Sequence, residues 1–284
     1  MSTHASTESD RHAATDPRAH TANRTTTTAH RSVAREIEIA APVDAVWKAL
    51  TDAEELTRWF PPRADVVPGV GGSIRMSWQN MGELDDARIE VWDAERHLRT
   101  VGQSGSWVGI ATDYHLDAST GGTILRVVSA GFGEGASWDT LLDAFGYGWD
   151  FELRGLRHYL ERHRGEQRTP VWARAPYTCG DAEAWRRLTG AHGWLGASGL
   201  RDLREGDRWS TTAATGERMS GIVHTWYPLH QFSGTVGELN DALLRVQLYD
   251  RTAHLWLSTY GLPPATVRAL ADRWQASLTE LFAA

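Results

Sequence analysis

The stretch Glu36-Ile-Glu-Ile-Ala-Ala-Pro42-Val-Asp-Ala-Val-Trp47-Lys-Ala-Leu50-Thr51, with Leu56-Thr-Arg-Trp59-Phe60 close behind, changes its hydrophobic period half-way. Ile37 and Ile39 alternate with acids, as in a half-buried strand starting near Val33, whereas Val46, Trp47 and Leu50 recur at helical spacing. Pro42 suits the entry to a short helix over Asp44–Leu50. A second short helix is expected over Ala53–Trp59, where Pro61-Pro62 ends it.

Outward from this stretch the chain reads as a meander. Gly71-Gly72 turns into Ser73–Trp78, and strands are expected at Arg88–Trp92, His97–Gln103, Ile110–Leu116 and Thr123–Ala130. Ser137–Arg162 is long and helical, with Trp149, Leu153, Leu156 and Leu160 on one stripe. The expected fold class is α+β: a curved antiparallel sheet with one face on the long helix and the other in solvent.

The pattern then restarts. Residues 166–176 carry two prolines and little periodicity, and are expected to be a linker. Beyond them Glu183-Ala-Trp185-Arg-Arg-Leu188-Thr189 echoes Ala45-Val-Trp47-Lys-Ala-Leu50-Thr51. Gly82-Glu83, Trp92 and Leu98 return as Gly216-Glu217, Trp226 and Phe232 at a constant offset. Trp274, Leu278, Leu281 and Phe282 repeat the closing stripe, and Leu243–Tyr249 and His254–Tyr260 would be the last two strands. A repeat this long is a duplicated domain. The expected organisation is a disordered arm over 1–32, a domain over 33–165, the linker, and a second, degenerate domain over 177–284 without a first strand.

Composition narrows the function classes. The chain has 284 residues, 29 basic and 36 acidic side chains, and a formal charge of −7, which excludes a basic nucleic-acid surface for the chain as a whole. Cys179 is the one cysteine, so neither an intrachain disulfide nor a multi-thiolate metal site can form. No apolar run is long enough to span a bilayer or to serve as a signal core, and the expected compartment is cytoplasmic. Fourteen tryptophans mark an aromatic-walled interior or pocket.

Polar motifs add little. Gly131-Phe-Gly133-Glu-Gly135 looks like a dinucleotide fingerprint, but it lies between an antiparallel strand and a terminal helix, which suits a hinge. His158 and His163 are five apart and are expected on an exposed basic helix face. Asp113 and His115 share one face of a strand, and Asp85-Asp86 look like turn residues. Neither a catalytic set, a metal site nor a cofactor is expected. The stronger lead is Met76, Trp78, Trp107, Tyr114 and Trp149, with Leu153, where a bent sheet gripping one helix would leave an apolar cavity. Tyr114 and Arg126 are the polar candidates for orienting a ligand there. Simple core packing is the competing account of the aromatic set.

The opening strand and helix pair resemble the SRPBCC (START-like, helix-grip) superfamily. Gly71-Gly-Ser-Ile-Arg75, Ala87-Arg-Ile-Glu-Val91, His97-Leu98 and Gly148-Trp149 with Leu153 and Leu156 are similar to its subgroup related to the activator of Hsp90 ATPase. The resemblance implies two tandem helix-grip domains. The aromatic set makes non-enzymatic binding of a small hydrophobic or aromatic ligand between sheet and C-terminal helix the leading expectation. The alternatives it leaves open are a polyketide cyclase or dehydratase using the same cavity, and a chaperone or stress-response partner acting through its surface. An exposed sheet edge makes an oligomer a further expectation.

Overall fold

The computed structural model of the protein describes residues 31–78, 83–196, 200 and 202–283. The arm through residue 30, and Gly82 of the repeat, lie outside these residues. Arg31 and Ser32, expected in the arm, already belong to the first strand.

The first domain runs β1 (Arg31–Ile39), α1 (Val43–Thr51), α2 (Ala53–Thr57), β2 (Arg63–Val67), β3 (Ser73–Trp78), β4 (Glu83–Asp93), β5 (His97–Gly102), β6 (Ala111–Ser119), β7 (Gly122–Phe132) and α3 (Ala136–Arg162). Its seven strands form one antiparallel sheet in the order β1-β7-β6-β5-β4-β3-β2. Helix α1 buries Ala45, Val46, Ala49 and Leu50, which share one helical face. Helix α2 starts where the Asp52 carboxylate accepts from the Glu55 N–H at 3.0 Å, a side-chain cap for an otherwise orphaned donor.

The second domain runs β8 (Arg168–Pro176), α4 (Asp181–Thr189), β9 (Arg208–Thr212), β10 (Arg218–Tyr227), β11 (Gln231–Val236), β12 (Ala242–Tyr249), β13 (Thr252–Tyr260) and α5 (Pro264–Phe282). Its six strands are ordered β8-β13-β12-β11-β10-β9. The segment expected to be a linker is therefore mostly strand, and this domain has its own first strand. Prolines at 170 and 176 are tolerated because β8 is an edge strand, with a single partner in β13.

The sequence repeat has a structural counterpart. Trp47 on α1 meets Trp92 on β4 with centroids 5.2 Å apart, and Trp185 on α4 meets Trp226 on β10 at 5.8 Å. The Thr51 and Thr189 hydroxyls donate to the carbonyls of Trp47 and Trp185. Trp92 pairs with Leu98, and Trp226 with Phe232. Even the register irregularity recurs, between Ile89 and Val91 and between Val223 and Thr225. A bulge of this kind bends the strand and helps curl the sheet around its helix.

Helix α3 is buried on two sides. Trp149, Leu153, Leu156 and Leu160 join the first domain's core. Phe151, Gly155 and His158 instead meet the second domain: a Cβ on Gly155 would stand 3.8 Å from Leu243. The second sheet thus packs α5 on one face through Val171, Ala173, Leu255 and Leu257, and presents Trp172, Arg245 and Trp256 to α3 on the other. Its outer face is not a solvent face, unlike that of the first sheet. The domains are also tied by hydrogen bonds: Arg168 donates to the carbonyls of Trp59 and Phe60 at 2.9 and 2.8 Å, and the Tyr260 hydroxyl to that of Arg58 at 2.9 Å. Among the described residues no helix is long and apolar enough to cross a membrane.

Candidate functional site

Two cavities bear on the aromatic set. The smaller, about 30 Å³, lies inside the first domain between its sheet and the α1–α2 pair, and is lined by Met76, Leu98 and Tyr114 among others. That is room for two waters or so at ~10 to 15 Å³ each, not for an organic ligand. The expected hollow within the first domain is therefore almost filled. Burial there pushes the Tyr114 phenol well above its usual range and keeps it neutral.

The larger cavity, about 240 Å³, opens between the two domains beside α3. Phe60, Trp78, Trp107 and Trp149 form its first-domain wall, and α3 adds Leu141, Ala144, Phe145 and Gly148. Trp172 and Trp256, paired across β8 and β13 with centroids 5.0 Å apart, form the opposite wall. The first wall is rigid. Phe60 meets Trp78 edge-on at 5.5 Å, Tyr114 meets Trp149 edge-on at 5.8 Å, and the Trp149 indole N–H donates to the Ser129 hydroxyl at 3.0 Å.

The polar floor was not foreseen. Glu152, Arg168, Arg245, Gln247 and His254 all line this cleft. Arg245 lies over the Phe151 ring at 4.3 Å, donates from Nε to Gln231 Oε1 at 3.1 Å, and from Nη1 to Glu152 Oε1 at 3.2 Å. Burial pushes the Glu152 carboxyl up to about 7, against the pull of Arg245 and Arg168. His254 is pushed down to about 4 by burial and by Arg245 and Arg174, so it is neutral at pH 7; the Trp172 N–H meets its Nδ1 at 3.4 Å. Asp85, expected in a turn, lies on β4, is buried, and lines the first-domain side.

Of the residues expected at the ligand site, Trp78, Trp107 and Trp149 line the cleft, while Met76 and Tyr114 line the small inner cavity, which Trp107 also touches. Leu153 is core, and lies away from the cleft. Arg126 is exposed on the outer sheet face opposite Glu36 and His115, because Leu125 and Val127 take the inward positions of β7. Asp113 is on that outer face too, bonded to His97 at 2.8 Å and to Arg99.

His158 and His163 are not on an exposed face. Both are buried, and both ring Nε2 atoms approach the Asp241 carbonyl oxygen, at 2.6 and 3.3 Å, because the second domain covers this side of α3. His158, His163 and Asp241 bring potential metal-ligand atoms together, as do His97, Asp113 and His115. In each set an arginine already pairs with the carboxylate, Arg162 with Asp241 and Arg99 with Asp113.

With this geometry in hand, residues 40–161 match the sequence family described as activator of Hsp90 ATPase homolog 1-like protein. The chain's first domain is similar to that family. The match spans the Hsp90-activator-like domain from the end of β1 to the last turn of α3 and stops short of the second domain. Among solved structures, a Mesorhizobium loti protein shares 22% identity with the chain; the match covers 47% of this chain and 98% of that one, with a TM-score of 0.42. The Aha1 dimer of Colwellia psychrerythraea shares 20%, over 48% and 99%, at 0.41. DynU16, of the dynemicin biosynthetic locus, shares 20%, over 89% of this chain and 96% of its own, at 0.41. No curated protein matches the chain.

Of the residues missed by sequence reasoning, Trp172 and Trp256 carried a signal. Trp256 stands on the expected strand His254–Tyr260 at a position that alternation assigns to an outer face, where polar residues are usual, and Trp172 is its cross-strand partner.

Proposed function

We propose that the protein binds a small apolar or aromatic molecule in the cleft between its two domains and does no chemistry on it. The observation that carries this reading is the tryptophan-walled space of about 240 Å³ beside α3. An apolar cavity of about 150 Å³ already takes benzene, so a bicyclic aromatic is a reasonable guest. Burying ~200 Å² of apolar surface would contribute about 5 kcal/mol before the cost of association. The cleft sits between domains, a common place for small-molecule sites.

Thermal shift against a library of lipids and aromatic compounds, with native mass spectrometry of the purified chain, tests the reading. An aromatic ligand should raise the melting temperature of the wild type but not of Ala144→Trp, whose indole fills the cleft. A library that leaves the wild type unmoved, with no mass adduct, defeats it.

One observation supports a second reading, that of an acid–base enzyme of the cyclase or dehydratase kind. Glu152 has an ionisable partner in hydrogen-bond reach inside the cleft, and a carboxyl held near pH 7 is suited to proton transfer. Such an enzyme would exchange the protons α to the carbonyl of 2-acetylnaphthalene in D2O, and Glu152→Gln would stop the exchange. Exchange no faster than in buffer leaves the binding reading alone.

A further inference from the structure

The two guanidiniums at the cleft floor are not paired alike. Arg168 is 5% exposed, and its two Nη groups donate to main-chain carbonyls rather than to a carboxylate. Its Nε is buried with no hydrogen-bond partner. Arg245 is bound by Gln231 and Glu152 and lies against Phe151. Among the described residues, Glu152 on α3 is the carboxylate whose charge acts on both guanidiniums. Asp85 enters from the first domain's sheet and has an interaction of its own. A surplus guanidinium charge buried among aromatic side chains is unfavourable unless an anion joins it.

We infer, resting on the cleft-binding reading above, that the ligand is an aromatic molecule bearing a carboxylate, and that this group sits at the floor against Arg245 and Arg168 while the rings lie along the tryptophan walls. The planar fork of arginine matches a carboxylate in shape as well as charge, which a lysine or an amide would not. Both guanidiniums are held in place before any ligand arrives, by Phe151 and Gln231 on one side and by the Trp59 and Phe60 carbonyls on the other. Little ordering is then left to be done on binding. The ease with which Glu152 takes up a proton helps the floor accept a second negative charge.

2-Naphthoate and 2-naphthamide share one bicyclic body and differ in charge at pH 7. Titrated into the full chain and followed by quenching of tryptophan fluorescence, naphthoate should bind roughly tenfold or more tightly. Glu152→Gln should widen that ratio, because it removes the competing carboxylate. Arg245→Gln should bring the ratio towards unity; made together with Glu152→Gln it leaves no unpaired carboxylate, so a folded variant is at hand. Equal affinities in the wild type, or a tighter naphthamide, overturn the anionic-ligand inference and leave cleft binding standing. If neither probe binds, the cleft reading falls and this inference with it.

Discussion

Glu152 Oε1 accepts a hydrogen bond from Arg245 Nη1 at 3.2 Å, joining α3 of the first domain to β12 of the second at the floor of a shared cleft. Both side chains are largely withdrawn from water, at 17% and 13% exposure. The pair belongs to neither domain alone.

Breaking such a pair from one side leaves a buried charge without its partner. Arg245→Met is expected to destabilise the protein by about 3 to 5 kcal/mol. Adding Glu152→Gln should recover much of that loss, so the double-mutant cycle in urea shows strong coupling. Independent, additive losses would mean that the two side chains do not meet in solution.

Trp274 and Trp78 separate a core wall from a cleft wall. Trp274 is fully buried in the second domain and meets Trp194 edge-on at 4.9 Å, whereas Trp78 borders open space. Trp274→Ala should cost about 3 to 5 kcal/mol, and Trp78→Ala clearly less, because part of its surroundings is already empty. Chemical denaturation of the two variants checks the order.

Stability should fall as the solution is acidified. Burial pushes His158 and His224 down to about 4 and about 3 from an ordinary 6.5, opposed at His158 by Asp241 and aided at both by nearby basic groups. The unfolded chain takes up these protons as pH drops below 6.5 while the folded chain does not, so the contribution is whole above 6.5 and is lost towards pH 4. Glu152 runs the other way. Its folded value is raised from 4.5 to about 7, so its penalty grows as pH rises through that window and is complete above it. Urea midpoints should therefore drop from pH 6.5 to 4.5, less steeply in His224→Gln. Glu152→Gln should therefore cost less stability at pH 8 than at pH 5.

Arg168 acts as a clasp between domains. Arg168→Met would leave two buried main-chain carbonyls, those of Trp59 and Phe60, without their donors, at about 1 to 3 kcal/mol for each. The loss should appear as weakened coupling, with the calorimetric transition broadening or splitting into two. A single sharp transition at the wild-type temperature would refute the clasp.

Much of the first domain is legible from local pattern. The switch of period at Pro42, the alternation along β3 to β7 and the Trp149 stripe each arise from neighbours in sequence. The repeat was legible for the same reason, since Glu83, Trp92 and Leu98 return as Glu217, Trp226 and Phe232 at one offset. Strand β8 was not. Its prolines argue against a strand unless one knows that it lies at a sheet edge, and Trp172 among Val171, Ala173 and Ala175 hides the alternation by making both faces apolar.

By itself, the sequence determined that there are two curled sheets, each followed by a helix, because periodicity records which side of each element avoids water. Only the tertiary structure decided that the second sheet turns its outer face to α3, which buries His158 and His163 and brings Glu152 to Arg245. The reason is physical. A period shows that a face is buried but carries no information about what covers it, and docking one domain on another depends on shape and charge matched across residues far apart in the chain.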